Sequence, residues 1–308
     1  MKTNKIITLL TVLFCAAGFF SCSDWTEMET VDSNVQKPWE QDPTLWAEYT
    51  AALRAYKQSE HFIVYARLHN SPEPATSEQD FMRCLPDSLD IVALTNADRF
   101  SDFDREDLAV MRDKGTKVLY HLDYAARAEE LSDAAKLGAC IDKAIATVRA
   151  EGLDGFAFTG QPKFGDAAAE AAAKLLVEKL SAAKAEEQLL IFEGNPLFIA
   201  ADDRAKVDYF ILDTEKTEHV QDVKFQVLNA TGYAEVPAEK LLLAAEASAP
   251  LNDEDRTEHN AVAEMARRVV EFGPLAGLGT YDIGKDYYHT EKNYLIIRQA
   301  IQTLNPSK

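Results

Sequence analysis

The chain has 308 residues, of which 51 are acidic and 32 are Lys or Arg, so its formal net charge is -19 at neutral pH. So large a negative charge argues against binding to nucleic acid, to an anionic membrane surface or to a heavily sulfated glycan. A neutral ligand suffers no such penalty.

Residues 1–21 have the pattern of an export signal. Lys2 and Lys5 give a positive start, and the apolar stretch Ile6–Phe20 is too short for a membrane-spanning helix. The sequence then reads GFFSC, which resembles the lipobox of a bacterial lipoprotein and ends at Cys22. This pattern predicts cleavage before Cys22 and lipidation of that residue. An ordinary secretory signal is the alternative.

An acidic run, SDWTEME, covers residues 23–29 directly after Cys22. It resembles the surface-export signal of Bacteroidetes lipoproteins and favours the outer face of the outer membrane, whereas a solvated acidic linker is the alternative. We interpret residues 22–44, which contain Pro38 and Pro43, as a flexible tether. Cys84 and Cys140 have no CxxC or metal-type spacing, so free thiols are favoured, and we predict no metal and no cofactor.

The pattern from residue 45 to residue 308 predicts one domain. A first helix is expected over Thr44–Lys57, because apolar side chains recur there at helical spacing. Eight apolar segments of strand length follow: Phe62–Leu68, Ile91–Thr95, Lys117–Leu122, Gly155–Thr159, Leu189–Phe192, Tyr209–Asp213, Lys240–Ala245 and Gly277–Tyr281. The helices predicted between them include Glu106–Lys114, Ala134–Glu151, Asp166–Lys184 and Glu258–Phe272.

Strands that alternate with helices indicate a parallel sheet in an α/β protein, because parallel neighbours need a crossover connection. Eight such units in roughly 260 residues are typical of a (β/α)8 TIM barrel. An open, doubly wound sheet is the alternative. No glycine-rich phosphate loop follows the first predicted strand, which disfavours the nucleotide-binding form of that sheet.

The fourth predicted strand carries the most informative motif, EGLDGFAFTGQ, over residues 151–161. Its spacing resembles the signature strand of glycoside hydrolase family 18, which is written D-x-x-D-x-D-x-E. Asp154 occupies the first acidic position. Ala157, Thr159 and Gln161 occupy the other three.

The resemblance covers nearly the whole predicted domain. Residues 86–94, PDSLDIVAL, resemble the second strand of the Bacteroidetes branch of this family, which contains endo-β-N-acetylglucosaminidases acting on N-glycans. Residues 277–282, GLGTYD, and the segment Asn293–Pro306 resemble the last strand and helix. The resemblance therefore implies a family 18 barrel.

In that family the substrate's own acetamide oxygen is the nucleophile, so the resemblance implies two protein roles. A glutamic acid protonates the leaving oxygen, and an aspartate two residues earlier orients the acetamide. Gln161 cannot donate that proton, which forfeits roughly 10²–10⁴ in rate. Thr159 has no charge for a cationic intermediate, and Ala157 lacks the supporting carboxylate. These departures predict a pseudo-glycosidase, although Gln161 can still hydrogen-bond a sugar hydroxyl.

Polar side chains near other predicted strand ends are further glycan-binding candidates, because a barrel gathers them at one rim. They are His69, Asp123, Glu193, Asn195, Asp213, Glu215, Glu246 and Asp282. For each taken alone, a solvated or salt-bridged loop position is the alternative. A replacement catalytic pair, such as Glu193 with Glu246, stays open.

Aromatic side chains near the predicted strand ends are candidates to lie under sugar rings, because a sugar face packs on a flat apolar surface. They are Tyr65, Tyr120, Tyr124, Phe164, Phe192, Tyr281 and Tyr287. The alternative for each is a place in the barrel core.

Three hypotheses follow from the sequence. The favoured one is a lipid-anchored surface protein that captures N-glycans, or other glycans containing N-acetylglucosamine, for an outer-membrane importer and surface glycosidases. The second is an active endo-β-N-acetylglucosaminidase with replacement acids. The third is a structural lipoprotein that kept the barrel as a scaffold, which predicts no glycan binding.

Overall fold

The computed structural model describes residues 36–75 and 77–306. The predicted signal segment, the lipidation site Cys22 and residues 23–35 of the tether lie outside them. Within the described residues, no helix is long and apolar enough to cross a membrane. Residues 36–47 and residues 48–306 belong to separate compact units. In the unit that contains residues 36–47, a helical turn at Pro38–Gln41 lies within the predicted tether.

The strands are β1 Ile63–Leu68, β2 Ile91–Leu94, β3 Lys117–Leu122, β4 Gly155–Gly160, β5 Leu189–Gly194, β6 Tyr209–Leu212, β7 Leu241–Glu246, β8 Pro250–Asn252, β9 Glu258–Asn260 and β10 Gly277–Tyr281. Eight of them form a closed barrel in the order β1-β2-β3-β4-β5-β6-β7-β10, and all neighbouring pairs are parallel. The predicted (β/α)8 barrel is therefore confirmed. Strands β8 and β9 form a separate antiparallel pair.

The helices are α1 Pro38–Gln41, α2 Pro43–Gln58, α3 Asp102–Lys114, α4 Tyr124–Arg127, α5 Ala134–Glu151, α6 Ala167–Ala183, α7 Val220–Gly232, α8 Ala261–Glu271 and α9 Leu295–Leu304. The helix predicted over Glu258–Phe272 begins too early, because its first three residues form β9. Asn260 fixes the true start of α8, since its Oδ1 accepts hydrogen bonds from the amides of Val262 and Ala263.

The connection from α5 into β4 depends on caps at both ends of the helix. The Asp133 side chain accepts hydrogen bonds from the amides of Ala135 and Lys136 at the start of α5. Gly152 ends the helix with a φ of 66°, a left-handed conformation that favours glycine. This turn delivers the chain into β4, which is buried along its whole length.

The interior of the barrel is apolar at mid-height. Its cluster contains Tyr65, Ile91, Ala93, Leu119, Ala157, Ile191, Ile211, Leu242, Ala244 and Tyr281. Side chains alternate along a strand, so Thr159 faces the same interior as Ala157, closer to the carboxyl end. Arg67 on β1, His121 on β3 and Glu193 on β5 take the corresponding inward positions by the same alternation.

Three aspartates lie at the amino ends of the strands, immediately before β2, β4 and β6. Asp90, Asp154 and Asp208 accept hydrogen bonds from the amides of Val64, Val118 and Leu190, at N···O distances of 2.8, 2.9 and 2.7 Å. Each carboxylate thus satisfies an amide of the preceding barrel strand. The carboxylates at this end of the barrel therefore have a structural role.

We expect His61 to contribute to stability at this end in a pH-dependent way. Its Nε2 lies 2.9 Å from Asp90 Oδ1, and its Nδ1 lies 2.7 Å from the carbonyl oxygen of Ser59. Two acceptors favour the imidazolium, and the hydrogen bond to Asp90 raises the pKa of His61 although burial opposes it. We expect the His61→Gln variant to lose about 1 kcal/mol at acidic pH.

A raised folded-state pKa means that this contribution is complete below the ordinary histidine value and is lost as the pH rises through the folded value. Urea unfolding of the wild type and the variant at about pH 6 and about pH 9 measures the difference. An equal difference at both pH values would contradict the prediction.

Candidate functional site

Asp154, the acid that the chain retains in the signature segment, lies away from the barrel mouth. It precedes β4 at the amino end, where it accepts the hydrogen bond from Val118 and lies 3.3 Å from Lys117 Nζ. Asp154 is therefore a structural residue, because its carboxylate is hydrogen-bonded at the end of the barrel opposite to the polar mouth.

Ala157 is completely buried in the apolar interior. Its neighbours in the sheet are His121 on β3 and Ile191 on β5. Leu119 belongs to the same interior cluster. The position therefore lies below the polar layer of the mouth, where a methyl group fits and a carboxylate would be desolvated.

Thr159 is buried at the mouth and engaged on both sides. Its hydroxyl donates to Asp123 Oδ1 at 2.7 Å and accepts from the amide of Ala125 at 2.9 Å. Asp123 also caps α4 by accepting from the amide of Ala126 at 3.2 Å. Thr159 and Asp123 thus hold the loop after β3 against β4.

Gln161 is exposed at the rim, and its Nε2 donates to Asp213 Oδ2 at 2.7 Å. Glu215, two residues after Asp213, has a buried Oε2 without a hydrogen-bond partner among the described residues. Burial raises the pKa of Glu215 to about 7, and the neighbouring Asp213 adds to this shift. The region around the acid position therefore holds an amide, a carboxylate and a readily protonated glutamate.

Phe198 covers β4 just below that rim. A Cβ on Gly160 would lie only 2.4 Å from its ring, so this strand position has no room for a side chain. The Phe198 ring stacks on Phe192 with centroids 5.5 Å apart. Phe192 is fully buried, so its assignment as a sugar platform is wrong.

Glu193 lies at the centre of a buried polar network in the mouth. Its carboxylate accepts a hydrogen bond from Tyr65 Oη at 2.5 Å and one from Arg67 Nε at 2.6 Å. His121 Nε2 lies 3.2 Å away. Burial by itself would raise the pKa of Glu193, but Arg67 and His121 outweigh burial and hold it well below its ordinary value.

This network corrects two sequence-based assignments. Glu193 stays ionised, so it is unsuited to the role of a replacement proton donor. Tyr65 is fully buried and offers no face to a sugar. The sequence analysis did not name Arg67 or His121 as site residues. Both stand at inward positions of barrel strands, and a charged or polar residue at such a position is a signal that could have identified them.

Two residues, Glu193 and Tyr281, hold the Arg67 side chain in place. Beside its bonds to Glu193, its guanidinium carbon lies 3.6 Å from the centre of the Tyr281 ring. This arrangement combines an ion pair with a cation–π contact in a partly dry site. Tyr281 is itself almost fully buried, so the guanidinium covers the ring face that the sequence suggested for a sugar.

A cavity of about 790 Å³ opens over β1, β2, β3 and β10. Five sequence candidates line it, namely His69, Tyr120, Asp123, Tyr281 and Asp282. The structure places Gln161, Asn195 and Asp213 together at another cavity of about 220 Å³, beside β5 and β6. The candidates thus divide between two sides of the mouth.

The remaining candidates have separate positions. Glu246 lies 3.7 Å from Lys285 Nζ at the end of β7. Tyr124 packs near Phe198, and Tyr287 is buried and hydrogen-bonded to Glu78. Phe164 is 79% exposed and is free to meet a ligand beyond β4.

Replacing Gln161 with glutamate is expected to introduce repulsion rather than a working acid. The new carboxylate would lie beside Asp213, whose carboxylate now accepts a hydrogen bond from the Gln161 amide. Glu215, next to Asp213, would add to the repulsion. We expect a loss of about 1 kcal/mol in unfolding free energy at pH 8 that shrinks at pH 5, because a proton then relieves the repulsion. Urea unfolding at both pH values measures it, with Gln161→Ala as the uncharged control. Equal stability of Gln161→Glu and wild type at pH 8 would contradict the prediction.

The barrel superposes on several solved structures. A selenomethionine form of BT1044 with a Glu-to-Gln substitution superposes with a TM-score of 0.68 at 18% identity, covering 88% of this chain and 96% of that chain. Endo-β-N-acetylglucosaminidase from Cordyceps militaris gives 0.65 at 17%, covering 84% and 96%. A double mutant of the Cordyceps enzyme, in complex with fucosyl-N-acetylglucosamine-Asn, gives 0.61 at 17%, covering 83% and 95%.

At these identities the structural likeness establishes the fold alone. Comparison with curated proteins finds no significant match. The sequence itself matches the family model described as glycoside hydrolase family 18, BT1044-like, over residues 26–303. That match spans most of the chain and confirms the resemblance read from the signature segment: the chain belongs to glycoside hydrolase family 18, in its BT1044-like group.

Proposed function

We propose that this protein binds N-glycans, or other glycans containing N-acetylglucosamine, at the barrel mouth without hydrolysing them. One observation carries the proposal. The position of the family's proton donor holds Gln161, which is hydrogen-bonded to Asp213, while a cavity of about 790 Å³ stays open over the neighbouring strands. The mouth therefore keeps space for a ligand over β1, β2, β3 and β10, whereas the acid position, at the smaller cavity beside β5 and β6, holds an amide.

The charges around the cavity support a neutral ligand. Its lining includes the cations Arg67, Arg99, Arg127 and Lys285 and the carboxylates of Asp80, Asp98, Asp123 and Asp282. Cations and carboxylates are thus balanced, although the chain as a whole is strongly acidic. Its volume also falls in the ordinary range for ligand sites, roughly 300–1,000 Å³. The Cordyceps relative in complex with fucosyl-N-acetylglucosamine-Asn supports the choice of glycan class.

The test uses the full-length protein in detergent, immobilised on a support. A mixed pool of free N-glycans and intact glycoprotein is passed over it, and retained and unretained species are identified by mass spectrometry. We expect retained, uncut glycans, with retention reduced in His69→Ala at the cavity and unchanged in Glu170→Ala on α6. Failure of every glycan to bind would overturn the proposal and favour the scaffold hypothesis.

A second candidate function, endo-β-N-acetylglucosaminidase activity, rests on Glu215. A pKa of about 7 suits a proton donor, and this residue adjoins the Gln161–Asp213 hydrogen bond. Glu193, the replacement acid suggested from sequence, is held ionised instead. If the protein is an enzyme of this kind, trimmed glycan appears with wild type and disappears with Glu215→Gln but not with the exposed control Glu218→Gln. Absence of trimmed product with wild type would exclude it.

We further propose that Cys22 carries a lipid and that the barrel faces the outside of the outer membrane, where it delivers glycans to an importer and surface glycosidases. The lipobox-like sequence and the acidic run over residues 23–29 support this. Protease treatment of intact cells should remove the barrel, and Cys22→Ser should move the protein from the membrane to the soluble fraction. Retention of Cys22→Ser in the membrane would contradict the anchor.

A further inference from the structure

The floor of the large cavity presents a fixed cation. Arg67 lines the cavity, whereas Glu193, its ion-pair partner, is only 2% exposed and lies outside the lining. The contacts with Glu193 use Nε and Nη2 of the guanidinium. The Nη1 hydrogens are outside this pair, and the side chain is 24% exposed. The cavity therefore meets the guanidinium, with the carboxylate shielded beneath it.

The position of this guanidinium is set before any ligand arrives. Glu193 holds one edge, and the Tyr281 ring supports one face at 3.6 Å. A planar donor held in this way loses little conformational freedom when it binds an oxygen acceptor. Conversely, a cationic group brought to the same place meets the N–H edge of the guanidinium, while the Glu193 carboxylate that would attract it is shielded beneath. The floor thus discriminates by the charge of the group that contacts it.

Building on the glycan-binding function proposed above, we infer that Arg67 is the specificity-determining contact of the cavity. It donates a hydrogen bond to the acetamide oxygen of an N-acetylated sugar, and it excludes the corresponding sugar whose amino group is free and protonated.

A matched pair of ligands tests the inference: di-N-acetylchitobiose and the same disaccharide with both amino groups free. Both are titrated calorimetrically into the full-length protein at a pH below the pKa of the sugar amine. We expect the acetylated disaccharide to bind at least about tenfold more tightly, since the alternative places like charges together. The difference should narrow as the pH rises and the amine loses its proton.

Three variants separate Arg67 from a general charge effect. Arg67→Lys keeps the charge but loses the planar donor edge, so we expect about fivefold weaker binding of the acetylated sugar with the amine still rejected. The double variant Arg67→Gln with Glu193→Gln leaves no buried unpaired charge, and its preference should fall to within about twofold. Arg99→Gln is the control, because Arg99 lines the cavity without a salt bridge among the described residues.

Each outcome is decisive once circular dichroism shows that the variants are folded. An unchanged preference in the double variant, or an equal loss in Arg99→Gln, would overturn the role of Arg67. Equal binding of both disaccharides by wild type would overturn it as well, while leaving glycan binding intact. Wild type that binds neither these disaccharides nor any N-glycan would instead refute the glycan-binding function itself.

Discussion

Replacing Ala157 with aspartate is expected to lower the free energy of unfolding by about 3–5 kcal/mol at pH 8, because a carboxylate would be buried without a committed partner. Ala157 is completely buried and shares its cluster with Leu119 and Ile191. Its neighbour His121 lies 3.2 Å from Glu193, which is already its counter-charge, although His121 Nε2 makes no hydrogen bond among the described residues.

The loss should shrink as the pH falls, because burial raises the folded-state pKa of the new carboxyl and its protonated form is easier to bury. Urea unfolding at pH 5 and pH 8 measures this difference. Ala157→Ser is the control, since it adds a small neutral polar group to the same place. Wild-type stability of Ala157→Asp at pH 8 would show that the interior supplies a partner for the charge.

This result bears on whether acids placed at the signature positions could support hydrolysis. Returning acids to positions 157, 159 and 161 places one in the apolar interior, one against Asp123 and one against Asp213. Each new carboxylate therefore meets either apolar surroundings or a like charge. We expect the triple variant of Ala157→Asp, Thr159→Asp and Gln161→Glu to release no more trimmed glycan than the wild type, because a catalytic group needs a supporting shell.

Replacing Arg67 with glutamine is expected to cost about 3–5 kcal/mol at pH 8, because it leaves Glu193 buried without its main counter-charge. Tyr65 and His121 would still contact the carboxylate, but Tyr65 supplies no charge. The wild-type carboxyl has a lowered pKa, so its stabilising contribution is present above the ordinary glutamate value and is lost only in strong acid.

A double-mutant cycle makes this expectation precise. Arg67→Gln should be less unstable at pH 5 than at pH 8, since Glu193 then takes up a proton more easily. Adding Glu193→Gln should return most of the lost stability, to within about 1–2 kcal/mol of wild type, because no isolated charge remains. If the double variant is no more stable than Arg67→Gln, the ion pair is not the source of the loss.

Much of the fold was predictable because local signals agreed with it. Strand β3 and helix α5 have the predicted bounds, and α5 is marked by Asp133 before it and Gly152 after it. Helix α7 was not predicted, since Phe225 and Leu228 are exposed on it and blur the amphipathic pattern. Helices that break the rule of a buried apolar face are the hardest to recognise from sequence.

The site was only partly predictable, because its key contact joins distant parts of the chain. Sequence alternation places Glu193 at a strand end, but its bond to Arg67 spans 126 residues. No local sequence pattern predicts which of the strand-end carboxylates points into the barrel interior and which lies at the rim. The identity of the partner depends on barrel closure, which brings β1 and β5 to opposite sides of one interior.

The aspartates before β2, β4 and β6 also bear on how such a barrel assembles. Parallel neighbours have no tight turn to set their alignment, and a slip of one residue would turn every inward side chain outward. Asp90, Asp154 and Asp208 each recognise a single amide of the strand that precedes them in the chain. Each carboxylate therefore favours one register of one strand pair. Asp154, the acid of the signature segment in this chain, thus contributes to the register of β3 and β4 at the end of the barrel opposite to the mouth.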